Sequence, residues 1–218
     1  MSYNVFIGYA SEDDSFAQYI HDSLGRIVQI QPYKAEIYLE YGEDFKQRIQ
    51  NELQKSHSMI VLLTDNGKNS QWVNQEIGFA FALRRRLLPR YAGLPHIIPI
   101  SQKHVDLKGL ITKDSIDILF MDNFQSSEYV MASLIFTIRR NIPRGLEKGI
   151  LGVRIACSKC LDEHGLPFEY EAPILSAETI NRAIAQGPKP LIGYTCPRCH
   201  NENFVDARTF LPAKRRAE

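Results

Sequence analysis

Four cysteines and one tryptophan–glutamate pair are the residues of this chain whose types and spacing could do chemistry. The cysteines form two Cys-x-x-Cys pairs, Cys157 with Cys160 and Cys196 with Cys199. Two such knuckles supply four thiolates, a closed tetrahedral set for a structural Zn2+. The 35 residues between the pairs exceed the tight four-cysteine spacing, so an insertion is expected between the knuckles. Two rivals share the pattern. Cys196-Pro-Arg-Cys199-His200 matches the c-type haem attachment string, and four thiolates can also hold an iron–sulfur cluster. The second knuckle argues against haem, and tetrahedral sulfur ligation favours zinc. With no open position, such a zinc holds a fold together and does not catalyse.

Trp72 and Glu76 stand four apart, one helical turn from each other on one face. On spacing alone, a solvated glutamate beside a core tryptophan is the plainer reading. The alternative is a carboxylate desolvated beside an indole, a setting that raises its pKa and marks functional candidates. No other set of groups competes. The chain has no G-x-G-x-x-G after its first strand, no G-x-x-x-x-G-K-[ST] and no G-x-S-x-G elbow.

The elements that must position these residues alternate in period. Residues 4–10 read as a buried strand, and Ser11-Glu12-Asp13-Asp14 as a helix start with acids opposing the dipole. Phe16, Ile20, Leu24 and Ile27 form an amphipathic stripe. Residues 35–39 read as a second strand, 41–44 as a loop, and Phe45, Ile49 and Leu53 as the next helix. Met59-Ile60-Val61-Leu62-Leu63 has the continuous apolar character of a strand buried on both faces. A polar turn is expected over 66–70, a helix over 70–86, strands over 96–100 and 116–121, and a helix over 129–140. This alternation argues for a doubly wound parallel sheet, whose ligands bind at the carboxyl ends of its strands. Pro143-Arg144-Gly145 breaks the pattern. We therefore divide the chain into a first domain over 1–142 and a small cysteine-bearing domain over 143–218 with one helix near 176–186. A segment that small needs a staple such as a metal.

Composition narrows the function. Of 218 residues, 26 are Lys or Arg and 25 Asp or Glu, leaving a net charge of +1, which argues against nucleic acid as a partner. The short basic stretch Lys214-Arg215-Arg216 does not change that. Arg84, Arg85, Arg86 and Arg90 read as a solvated helix end favoured by the dipole. No cationic leader opens the sequence, and no apolar run approaches the ~18 residues of a membrane helix. A cytoplasmic protein without membrane contact is expected.

Several segments together carry a family resemblance. Val5-Phe6-Ile7-Gly8-Tyr9-Ala10-Ser11-Glu12-Asp13 resembles the opening box of a Toll/interleukin-1 receptor (TIR) domain. Tyr41-Gly42-Glu43-Asp44-Phe45 is similar to its BB loop. Residues 49–63, followed by Ser70-Gln71-Trp72-Val73-Asn74-Gln75-Glu76-Ile77, resemble its third strand and the helix after it. The resemblance spans residues 3 to about 140 and is prokaryotic in style. It departs at Gly8, where many members have Ser, and in a loop without the usual Pro. The C-terminal segment resembles a zinc ribbon.

The resemblance implies an α/β fold with a flavodoxin-like five-stranded parallel sheet. It also implies an NAD+-cleaving enzyme, a glycohydrolase or ADP-ribosyl cyclase, of the kind that serves prokaryotic antiviral defence or cell-death signalling. Glu76 is then catalytic, with Tyr9, Ala10, Ser11, Tyr41, Gly42 and Trp72 near the dinucleotide. The residues alone leave Tyr9 open between capping the sheet and binding, and favour Asp13 and Asp14 as helix-start groups. Family behaviour implies a homo-oligomer assembled through TIR–TIR contacts, and the ribbon offers a surface for a protein partner. The competing reading is a non-enzymatic TIR module that recruits other TIR domains.

Overall fold

The computed structural model describes residues 2–34, 45–86, 94–107, 111, 118–121, 131, 133–135, 137, 138, 152–175, 177–185, 187 and 190–213. Strands β1 (Tyr3–Gly8), β2 (Ile30–Lys34), β3 (Ser58–Leu63), β4 (His96–Gln102) and β5 (Leu119–Met121) form one sheet in the order β2-β1-β3-β4-β5. Every neighbouring pair is parallel. This is the doubly wound order whose topological switch point lies between β1 and β3. The α/β parallel sheet expected from the alternating periods is therefore present.

Strand alternation sends the two faces of β1 into two cores. Tyr3, Val5 and Ile7 pack against Phe16, Ala17, Ile20 and Leu24 of α1 (Asp14–Gly25). Met131, Leu134, Ile135 and Ile138, helical within the expected 129–140 segment, complete that layer. Phe6 faces the opposite layer, with Ile49 and Leu53 of α2 (Phe45–Lys55) and Val73, Ile77 and Ala80 of α4 (Gln71–Arg86). All six residues of β3 are buried, as its continuous apolar run requires.

The structure departs from the sequence reading at three places. The second strand is Ile30–Lys34, earlier than expected, and residues 35–39 lie outside the described ones. Pro32 in its middle reads as a breaker, but β2 is an edge strand, where a missing amide is tolerated. The stretch read as a polar turn forms a short helix, α3 (Asp65–Asn69), whose Gly67 amide donates to Thr64 Oγ1 at 2.9 Å. Ser70 then caps α4, accepting from the Val73 amide at 3.3 Å. Third, Ser11 does not cap a helix; its hydroxyl donates to Glu12, and a 3-10 turn over Ser11–Asp13 precedes α1.

The cysteine segment contains two sheets. An antiparallel hairpin pairs β6 (Gly152–Leu161) with β7 (Pro167–Pro173). A three-stranded sheet has the order β10-β9-β8, from β8 (Leu191–Thr195), β9 (Glu202–Asp206) and β10 (Pro212–Ala213). Between them lies α5 (Ala177–Ala185), the helix expected near 176–186. The boundary expected at 142/143 lies outside the described residues. The segment joins the first sheet's core. Val153, Ile155, Tyr170, Ile192, Val205 and Phe210 share one continuous apolar cluster with Val5 and Ile7. The backbone joins it too. The Arg154 amide donates to the Arg26 carbonyl at 2.7 Å, and the Val28 amide to Gly152 at 2.9 Å. Ile27, which extends the α1 stripe, lies past the helix end and bridges Val153. The docking site is thus the connection between α1 and β2, at the amino end of β2.

Candidate active site

At the carboxyl end of β1, the carboxylate of Glu76 lies over Gly8. A Cβ built on Gly8 would stand 2.6 Å from Glu76 Oε2 and 3.0 Å from Met59 Cε on β3. Only a residue without a side chain leaves room for the acid there. The departure from the family's usual Ser at this position therefore has a direct steric partner. Glycine inside a strand signals such a close approach. The carboxylate stands at the β1/β3 switch point, where open parallel sheets bind ligands.

Glu76 is 4% exposed, and its Oε2 has no hydrogen-bond partner among the described residues. Burial pushes its carboxyl up to about 8, opposed by a hydrogen bond from the Trp72 side chain. The plainer reading of the pair, a solvated glutamate beside a core tryptophan, is reversed. The acid is buried, and the indole is half-buried at the rim. A cavity of about 400 Å³ opens between α2 and α4, lined by Ile49, Gln50, Leu53, Trp72, Gln75, Glu76 and Phe79. None of these seven residues is cationic, and Glu76 is the only ionisable acid among them. Of this lining, the sequence singles out Trp72 and Glu76 alone as site residues. The signal was there in Phe79, which follows Glu76 by three on the same helical face.

The raised carboxyl has a consequence for stability. The folded chain keeps a proton on Glu76 up to about pH 8, while the unfolded chain releases it near the ordinary glutamate value of 4.5. This part of the stability is therefore complete below the lower value and lost as pH rises through the upper one. The loss amounts to roughly a few kcal/mol. Urea unfolding at about pH 5 and about pH 9 should show this fall in the natural protein, and Glu76→Gln should flatten it.

The other expected site residues separate. Tyr9 is buried in the opposite core layer, where its hydroxyl donates to Asp14 at 3.0 Å. Lys34 binds the same carboxylate at 2.9 Å and lies 5.7 Å above the Tyr9 ring. These contacts hold the Asp14 carboxyl below its usual range, with the Lys34 hydrogen bond the largest cause. Ala10 is buried at the start of the 3-10 turn, and Ser11 is exposed. Tyr41 and Gly42 lie outside the described residues.

Asp13 holds the N-cap position of α1, the helix start expected of it, but its side chain serves elsewhere. It is 1% exposed, and its carboxylate makes no cap hydrogen bond. It accepts instead from Thr64 Oγ1 at 2.5 Å and from Asn66 Nδ2 at 3.3 Å. Thr64 in turn caps α3, so Asp13 ties the end of β1 to the turn that feeds α4 and Glu76.

The four cysteines converge. Their sulfur atoms all lie within 4.8 Å of one another, and Cys157 Sγ and Cys199 Sγ are 3.7 Å apart. Four sulfurs about 2.3 Å from a tetrahedral zinc are separated by about 3.8 Å, so the donor set fits that ion. Burial alone would raise the Cys157 thiol. The amides of Lys159 and Cys160, each 3.4 Å from its sulfur, and the neighbouring thiols outweigh that and bring it down to about 6. Amides aimed at sulfur stabilise a thiolate ligand. The cluster could hold a metal such as zinc. Among the described residues, no helix is long and apolar enough to cross a membrane.

A family model for the TIR domain matches residues 5–119, more than half of the chain, from β1 to the first residue of β5. No curated protein matches closely enough to count as a relative.

Proposed function

We propose that this chain, which belongs to the TIR domain family, cleaves NAD+ at the bond between nicotinamide and ribose, with Glu76 as the catalytic residue. The observation that supports this reading is the buried carboxylate with an unpartnered oxygen, set at the switch point and facing a cavity otherwise without charge. Nicotinamide in NAD+ is already cationic and leaves as a neutral molecule without a general acid. As the C1′–N bond lengthens, positive charge develops on the ribose. A fixed carboxylate against apolar walls stabilises that charge more than bulk water would. Water attacking C1′ gives ADP-ribose and one released proton. Attack by another group of the same dinucleotide gives a cyclic isomer. The apolar walls from Ile49, Leu53, Trp72 and Phe79 suit a flat aromatic leaving group.

The raised carboxyl suits a cationic substrate. The free site keeps a proton, which avoids a naked buried charge. Arrival of the cation favours the ionised form. Trp72, Ala10, Ser11, Tyr41 and Gly42 are proposed to line the dinucleotide site, with Trp72 nearest the acid; Tyr9, turned into the opposite core layer, is not among them. The four cysteines Cys157, Cys160, Cys196 and Cys199 are proposed to hold a structural zinc, closed to substrate. TIR domains commonly self-associate, and we propose that this one acts as a cytoplasmic homo-oligomer in prokaryotic antiviral defence signalling. The zinc segment is proposed to offer a partner surface.

Mixing concentrated protein with NAD+ and following nicotinamide release tests the reading. Gly8→Ala sharpens it. The added methyl would stand 2.6 Å from Glu76 Oε2, so the carboxylate must swing away. Release should fall by about tenfold or more, since misplacing a catalytic group by an ångström costs on that scale. The fold should survive, because the displaced atom ends a side chain that can turn. Unchanged release from Gly8→Ala would detach the acid's position from turnover.

A further inference from the structure

The two knuckles sit on different sheets, so something must hold them in register. Cys157 and Cys160 lie on β6, and Cys196 and Cys199 in the turn between β8 and β9. Beside them one side chain, Asn203 of β9, is 5% exposed and fully engaged. Its Oδ1 accepts from the Ser158 amide at 2.8 Å, inside the first knuckle, and from the Ser158 hydroxyl at 3.2 Å. Asn201 Nδ2, just past the second knuckle, also reaches this oxygen at 3.3 Å. On the other end, Asn203 Nδ2 donates to the Tyr170 hydroxyl of β7 and to the Asn201 carbonyl, both at 3.2 Å. Tyr170 passes the chain on to the Tyr194 carbonyl of β8 at 3.0 Å. The Ser158 amide is only a donor, which fixes the orientation of the Asn203 amide.

We propose that Asn203 is the positioning residue of the metal centre, holding the two knuckles in register so that four thiolates meet at one point. A buried amide earns its place only when its donors and acceptors are satisfied, and this one is satisfied by both knuckles at once. The second knuckle is tied to the same point. The Asn201 carbonyl accepts from the Cys196 amide at 2.9 Å, so Asn203 acts on the backbone that presents Cys196. No atom of Asn203 is a thiolate, and it acts through the ligands. Partners that orient metal ligands in this way typically carry about 10- to 100-fold in metal affinity.

The inference rests on reading the cysteines as a metal site, and the experiment separates the two. Full-length protein is stripped and titrated with Co2+, read by thiolate-to-cobalt charge-transfer absorbance, then with Zn2+ against a competing chelator. If the natural protein shows no such absorbance, the metal reading itself fails. If it does, Asn203→Ala should bind about 10- to 100-fold more weakly with the same absorbance per bound cobalt. Affinity unchanged in Asn203→Ala would overturn the positioning role. A readout on the natural protein serves if that variant does not fold. In the metal-free chain the Ser158 amide should stay protected from hydrogen exchange, while the amides of Lys159 and Cys160, bonded to Cys157 sulfur, lose protection. Rapid exchange at Ser158 without metal would overturn it equally.

Discussion

Glu76→Gln should lower nicotinamide release from NAD+ by about a thousandfold or more while leaving the chain folded. The amide keeps the shape of the acid and can still meet Trp72, but it carries no charge. Its loss removes the one ionisable acid that lines the cavity among the described residues, and with it the charge that would stabilise the ribose cation. Single preorganised electrostatic groups are worth about 10²- to 10³-fold in other enzymes. The effect should be larger here, because no second charged residue lines the cavity among the described residues. Folding should not suffer, since Gln avoids the cost of ionising a buried carboxyl. The pH profile supplies an independent mark. In the free protein the carboxyl is held up at about 8, so kcat/KM should rise with pH through that region. The rise in kcat should come at lower pH, because the bound cation favours the carboxylate. A profile flat from about pH 6 to about pH 9 would remove Glu76 ionisation from the mechanism.

Stripping the metal from the cysteine cluster should destabilise the whole chain, not its C-terminal part alone. Cys157 and Cys196 are buried, and they belong to the same apolar cluster as Val5, Ile7 and Leu24. Without a metal, the hairpin and the three-stranded sheet lose the link through the four sulfurs and keep the Asn203 and Tyr170 bonds and their apolar contact. The surfaces they cover around Ile27 and Val153 then loosen. Structural zinc sites contribute folding energy directly. A loss of several kcal/mol shifts the melting temperature of a chain this long by roughly 10 °C or more. Calorimetry of metal-loaded and chelated protein should show one transition moving down as a unit, and Cys196→Ser should reproduce it. A separate low-temperature transition that leaves the other unmoved would contradict the shared core.

Much of this was legible in the residues. The continuous apolar run of β3 and the mostly apolar run of β1 specify the sheet, because burial on two faces admits little else. The cysteine spacing specifies four converging sulfurs. Other features depend on neighbours distant in sequence. Pro32 hides β2 from any reading of propensity, and only the edge position in the sheet makes it acceptable. Asp13 is the helix-start acid its position suggests, but the partners of its carboxylate, Thr64 and Asn66, lie more than 50 residues away. The burial of Glu76 depends on Gly8, far along the chain, which has no side chain to exclude it. The docking of β6 on residues 26–28 was equally hidden, since an antiparallel bridge of a few residues leaves no periodic trace.

One measurement bears most directly on the role assigned to Glu76. Natural protein and Glu76→Gln are incubated with NAD+ at high protein concentration, and the products are separated by chromatography and weighed by mass spectrometry. Nicotinamide together with ADP-ribose or its cyclic isomer should form with the natural protein and not with the variant. Equal release from both would remove Glu76 from the chemistry. No release from the natural protein, even when chains are cross-linked into assemblies, would contradict the enzymatic reading and leave a TIR module that acts by recruitment.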